Sequence, residues 1–222
     1  VTRRLVVNAD DLGLSRGVNQ GIFEAHAKGI VTSASLMVLR PGAADAARRA
    51  RRHPRLSIGL HFDDDESDLD DPRTLERAFG EQLDRFRKLV GRDPTHVDSH
   101  HHVHLEGERL QGFSRLVAPL GVPLRGDGRI AYVGGFYAQW EWRVTNLEYV
   151  SPAFLDRLLG EEVVQPWTEL ACHPARVTGD FDSVYLAERE VELATLTQPG
   201  LRGRIAAQGI QLVGFDAWRG HR

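Results

Sequence analysis

Five histidines fall within nine residues in the run His96-Val-Asp-Ser-His-His-His-Val-His104. Imidazole is the commonest transition-metal ligand, and carboxylates complete such sites. The run itself leaves open which ring binds. His100, two residues after Asp98, is the first candidate and His102 the second, with Asp98 placed to orient a histidine from behind. Asp10 and Asp11 supply a carboxylate pair after an apolar run. Neighbours in an extended segment point in opposite directions, so the pair is expected to divide its labour, one carboxylate binding metal and the other handling a proton. Alone, such a pair reads equally as a turn or helix cap. His61 closes Ser57-Ile-Gly-Leu-His61, and His173 closes Glu169-Leu-Ala-Cys-His173 just before Pro174, which disfavours the helical region for His173. Each taken singly fits an ordinary hydrogen-bonded histidine.

Three other features carry less. The acidic stretch 62–71 lacks the glycine and terminal glutamate of an EF-hand and reads as a solvated loop. Cys172 reads as a small buried residue rather than a nucleophile. The aromatics between Phe136 and Tyr149, with Tyr137, Trp140 and Trp142, could stack on a sugar or serve packing or subunit contact.

The segments that must position these groups alternate. Arg4 to Ala9 reads as a buried strand, followed by a helix capped at Ser15 and stopped at Gly29. Thr32 to Leu39 reads as a strand, Pro41 opens a helix to about Arg52, and Leu56 to His61 is a strand. Leu75, Phe79, Leu83, Phe86 and Val90 recur at helical spacing over 72–90. Thr95 to Asp98 is then extended, 107–120 helical, and Val122 to Arg125 extended. Residues 126–150 resist assignment. A helix begins at Ser151-Pro152, Thr168 to Cys172 is a strand, and the tail reads as helix then strand at 211–215. This alternation predicts an α/β fold, a distorted or trimmed (β/α) TIM-like barrel in a single domain over 1–222. Asp10-Asp11, His61, the histidine run, Arg125 and His173 then all fall at the carboxyl ends of strands, the face where such folds build their sites.

Composition narrows the partners. A net charge of −3 in 222 residues offers no general attraction to nucleic acid or anionic membrane, and no apolar run is long enough to span a bilayer. The opening segment lacks the apolar centre of a secretory leader, and a lone cysteine fits a reducing compartment, so a cytoplasmic location is expected. A homo-oligomer is left open.

Together, Val7-Asn-Ala-Asp-Asp-Leu-Gly-Leu-Ser15, Gly29-Ile-Val-Thr-Ser-Ala-Ser35, Gly59-Leu-His-Phe62, residues 91–104 and Cys172-His-Pro174 resemble the YdjC-type carbohydrate deacetylases, the chito-oligosaccharide deacetylase family. The resemblance runs in order to about residue 175. It implies a metal-dependent hydrolase that removes an acetyl group from an N-acetylated sugar or short oligosaccharide. It implies Asp11, His61 and His100 as ligands of one divalent cation, Asp10 as the base, His173 in protonated form as the general acid, and Arg125 near the substrate. The family points to magnesium, whereas two imidazoles favour zinc, cobalt or manganese. One departure concerns the cleft: only residues 62–99 lie between His61 and His100, fewer than the family usually has. Two rivals stand beside this reading: a metal-dependent sugar isomerase or epimerase on a similar barrel, and a non-catalytic sugar-binding protein with a degenerate site.

Overall fold

The computed structural model describes residues 2–64 and 66–220; Asp65, in the acidic loop, lies outside them. Strand β1 (Arg3–Leu12) is buried along nearly its whole length, as expected of a central strand in a parallel sheet covered on both faces. Ser15 caps α1 (Arg16–Lys28) by accepting from the Val18 amide, and Gly29 follows its last turn. The chain continues through β2 (Ser33–Leu36), α2 (Ala43–Ala50), β3 (Ser57–Phe62) and α3 (Pro72–Val90). Asp71 caps α3, Pro72 occupies its first turn and Gly91 ends it with a left-handed φ of 82°, the usual proline-first, glycine-last asymmetry. Next come β4 (Val97–Ser99), a 3-10 segment His100–Leu105, α4 (Arg109–Val117) and β5 (Ala131–Val133). Then follow α5 (Pro152–Glu161), β6 (Trp167–Cys172), α6 (Ala187–Leu196), α7 (Leu201–Ala207) and β7 (Ile210–Leu212).

All strand pairings are parallel, in the order β4-β3-β2-β1-β6-β5, with β7 joined to the start of β1. The sheet curls into a half-barrel, the trimmed relative of a (β/α) barrel that the alternation predicts. Apolar side chains from one face of the sheet and the helices that cover it form the large buried cluster, with Phe62, Phe79 and Phe113 in mutual ring contact, while Val6, Ile130, Trp167 and Phe215 form a small separate one. Among the described residues no helix is long and apolar enough to cross a membrane.

Two local expectations differ from the structure. Val122 to Arg125 forms a single bridge, Val97 with Leu124, beside β4 instead of a named strand; Pro123 interrupts it, since proline has no N–H to donate. Strand β5 lies instead within the unassigned stretch, where Gly126 and Gly128 at φ 80° and 83° turn the chain back into the sheet.

Candidate metal centre and active site

The pairing of β1 with β2 matches Ala9 to Ala34 but then Leu12 to Leu36. One extra residue on β1 therefore bulges out, and Asp11 takes a left-handed φ of 67°, a conformation that aspartate tolerates better than most residues. This bulge overturns the expectation that the two carboxylates point apart: both serve one pocket. Asp11 Oδ1 lies 3.4 Å from His61 Nε2 and 3.2 Å from His100 Nδ1. The three ligand atoms fall within 4.8 Å of one another.

The group suits a cation. His61 Nδ1 donates to Asp98 Oδ1 at 2.7 Å, which turns Nε2 toward the pocket, and that Nε2 is buried with no hydrogen-bond partner. Burial alone would lower the His61 pKa, but Asp98, Asp11 and Asp10 overcome it and lift the ring to about 10. The pocket thus draws positive charge onto that nitrogen. Asp11 keeps its other oxygen, Oδ2, on Arg189 at 2.6 Å. Burial opposes ionisation of Asp11, yet Arg189 and the two histidines hold its pKa well below the usual range. Asp10, His61 and Asp98 form a second possible group, but there both carboxylates already pair with Arg125. Of the histidine run, His100 joins Asp11, whereas His102 presents Nε2 to the Tyr132 hydroxyl at 3.2 Å. His101 and His102 both have positive φ, and the His101 ring lies against that of His100, with centroids 3.8 Å apart.

Asp10 sits beside this group. Arg125 grips it with two hydrogen bonds, Nη1 to Oδ2 at 2.7 Å and Nη2 to Oδ1 at 2.8 Å, and Asn8 Nδ2 donates to Oδ1 at 2.8 Å. Burial raises its pKa, but the Arg125 guanidinium outweighs this and keeps Asp10 below the usual carboxylate value. Arg125 also meets Glu169 at 2.6 Å and Asp98 at 2.9 Å, so one buried cation serves three carboxylates. Burial pushes Glu169 up to about 7 against the pull of Arg125.

His173 Nε2 lies 3.9 Å from Asp10 Oδ2, and Nδ1 lies 3.9 Å from Glu192 Oε1. Burial drives the His173 pKa down to about 4 despite Asp10 and Asp11, so the resting imidazole is neutral rather than protonated. Glu192 accepts from the His173 amide at 2.5 Å and from the Tyr185 hydroxyl at 2.6 Å, and burial raises it to about 8. Cys172 is fully buried, its thiol on the Asn8 carbonyl at 3.4 Å.

Sequence reading missed Asn8, Glu169, Arg189 and Glu192. Asn8 and Glu169 were visible as polar residues inside otherwise apolar strands. Arg189 and Glu192 gave no such signal, because charges at that spacing on a helix usually mark a solvated face.

A family model described as YdjC-like protein matches residues 4–207. The chain belongs to the YdjC-like family. Among its YdjC-like relatives, a chitooligosaccharide deacetylase from Serratia marcescens is 34% identical, over 96% of this chain and 98% of its own. A carbohydrate deacetylase from Geobacillus stearothermophilus is also 34% identical, over 96% and 97%. Among solved structures, a protein described as a cellobiose-phosphate cleavage protein from Enterococcus faecalis superimposes with a TM-score of 0.79 at 25% identity, covering 98% of this chain and 99% of its own.

Proposed function

We propose that this YdjC-like chain, as one domain over residues 1–222, hydrolyses the acetamide of an N-acetylated sugar, with Asp11, His61 and His100 holding one divalent cation. The observation that carries the reading is the placement of His61 Nε2, buried without a hydrogen-bond partner, 3.4 Å from Asp11 Oδ1 and beside a second carboxylate and imidazole, Asp10 and His173, that face each other. The deacetylase names of relatives aligned over nearly the whole chain support it.

A divalent cation there supplies a Lewis acid that polarises the acetamide carbonyl and makes water a stronger acid. Asp10, fixed by Arg125 and Asn8, takes the proton of the attacking water; Oδ2 retains a free lone pair beside its Arg125 bond. The departing nitrogen needs a proton, because an unprotonated amide anion leaves very poorly. His173 supplies it through Nε2. Since burial keeps the imidazole neutral at rest, the proton that Asp10 collects is the one that Nε2 passes on, giving acetate and the free amine. Arg125, only 4% exposed, serves the substrate through Asp10. Two imidazoles and one carboxylate favour zinc, cobalt or manganese over the magnesium to which the family points. The buried lone thiol of Cys172 fits a cytoplasmic setting.

Acetate release from N-acetylated mono- and disaccharides, measured on stripped protein with each metal restored in turn, tests the reading. Asp10→Asn is expected to bind metal without turnover, and His61→Ala or His100→Ala to lose both. Full activity after exhaustive chelation would end the metal assignment, and a near-normal rate in Asp10→Asn would remove the base. An isomerase or epimerase would instead convert the sugar with no acetate released.

A further inference from the structure

The segment 136–147, between β5 and α5, holds an unusual concentration of exposed apolar surface. Trp140 is 62% exposed and Trp142 76%, and Val144, Leu147 and the nearby Val184 are exposed too. Isolated exposed apolar residues are ordinary, but a contiguous group marks a contact site. These side chains are held out by a built framework. Gln139 Nε2 donates to Glu188 at 2.6 Å and to the Val184 carbonyl at 2.8 Å, and the Ala138 amide donates to the Tyr185 hydroxyl at 3.0 Å. Asn146 N–H closes the base on the Ala138 carbonyl at 2.8 Å, and Val144 N–H bonds to Glu141 at 3.0 Å across the tip. Buried polar bonds of this kind fix a loop in one geometry.

The loop leads straight from the reacting groups. Tyr137 meets the His173 ring edge-on at 5.6 Å and the Trp140 ring edge-on at 6.2 Å, and it stacks on Tyr185 at 4.6 Å. Trp140 is thus two ring contacts from the imidazole.

We infer that Trp140 and Trp142 form a binding subsite for a pyranose ring adjoining the one whose acetamide reacts. The inference rests on the deacetylase reading above and adds the residues that hold a second ring of its substrate. A pyranose presents an apolar C–H face with a hydroxyl rim. It therefore fits an aromatic platform with polar neighbours; Glu141 lies between the two tryptophans in sequence, and the Arg143 guanidinium lies over one face of the Trp142 ring at 5.7 Å. A protein partner suits the patch less well, because a stable interface takes about 20–30 residues a side and this apolar group is confined to one loop and its neighbour.

Two measurements test the subsite. In the first, kcat/KM is determined for N-acetylglucosamine and its trimer in the parent, Trp140→Ala and Trp142→Ala. The trimer-to-monomer ratio is expected to fall about tenfold in at least one variant, equivalent to ~1.4 kcal/mol. In the second, a trimer free of acetyl groups is titrated against intrinsic tryptophan fluorescence; the parent is expected to show saturable quenching that the double variant loses. Both indoles are exposed, so the fold does not depend on them, and melting curves check this. An unchanged ratio in both variants overturns the subsite, as does a shift from dimer to monomer in the sedimentation of the variants with the ratio intact. Should the parent release no acetate from any sugar, the deacetylase reading falls, and the fluorescence titration alone decides the subsite.

Discussion

Positive charge is scarce around Arg125: a single guanidinium pairs with Asp10, Asp98 and Glu169 inside the half-barrel, with His61 as a second partner of Asp98. Arg125→Met should therefore leave buried carboxylates uncompensated and cost about 3–5 kcal/mol, read as a lowered urea midpoint. Arg125→Lys keeps the charge but loses the two-pronged grip on Asp10 and should fall between the two. Asp98 acts one step further back, holding His61 Nδ1 so that Nε2 faces Asp11 Oδ1. Asp98→Asn is expected to weaken metal binding about 10–100-fold in a calorimetric titration. At this scale the sequence spoke clearly wherever a polar residue followed an apolar strand, as at Asp10, Asp11, His61 and His173. It was silent on Arg189 and Glu192, because their burial comes from α6 turning over the pocket mouth, which no local pattern encodes.

Among the elements, β3 and β4 show why a glycine precedes the Gly-Leu-His histidine by two residues. A methyl group at Gly59 would stand 2.3–2.5 Å from atoms of the His96 ring, which stacks on Phe215 at 4.0 Å. Gly59→Ala should overpack this contact and destabilise the fold by about 1–3 kcal/mol, measured by thermal melting. His96 and His104 also make these elements acid-sensitive. Burial lowers each to about 4, while the unfolded chain titrates near 6.5. At these two sites the unfolded state binds more protons in that window, so their contribution to stability is complete above about pH 6.5, declines as pH falls towards 4, and levels off below. Each histidine contributes a slope on the order of 1.4 kcal/mol per pH unit. Denaturant midpoints between pH 4 and 8 should show a smaller acid-side loss in His96→Phe than in the parent. Element positions were legible from strand–helix alternation, and α3 matched its periodicity from first residue to last. The β1 bulge was not legible, since a one-residue register shift against β2 is a property of the pair and not of either strand.

For the molecule as a whole, the chain's fold class could be read from the order of its segments, whereas β5 and the return of β7 to the start of β1 required tertiary pairing to appear. A ligand that binds only the folded state stabilises it by mass action. A cation at a hundred times its dissociation constant should add about 2.7 kcal/mol, so chelation should lower the melting temperature of the parent and leave that of His61→Ala unmoved. The late position of α6 has a different kind of consequence. Asp10, Asp11, His61, His100 and His173 are all synthesised before it, yet Arg189 on Asp11, Glu192 on His173 and Glu188 under the tryptophan loop come from this one helix. A nascent polypeptide still lacking α6 would carry all five of those groups, but Asp11 and His173 without the supports that this helix gives them, so competence on the ribosome must wait until α6 has emerged.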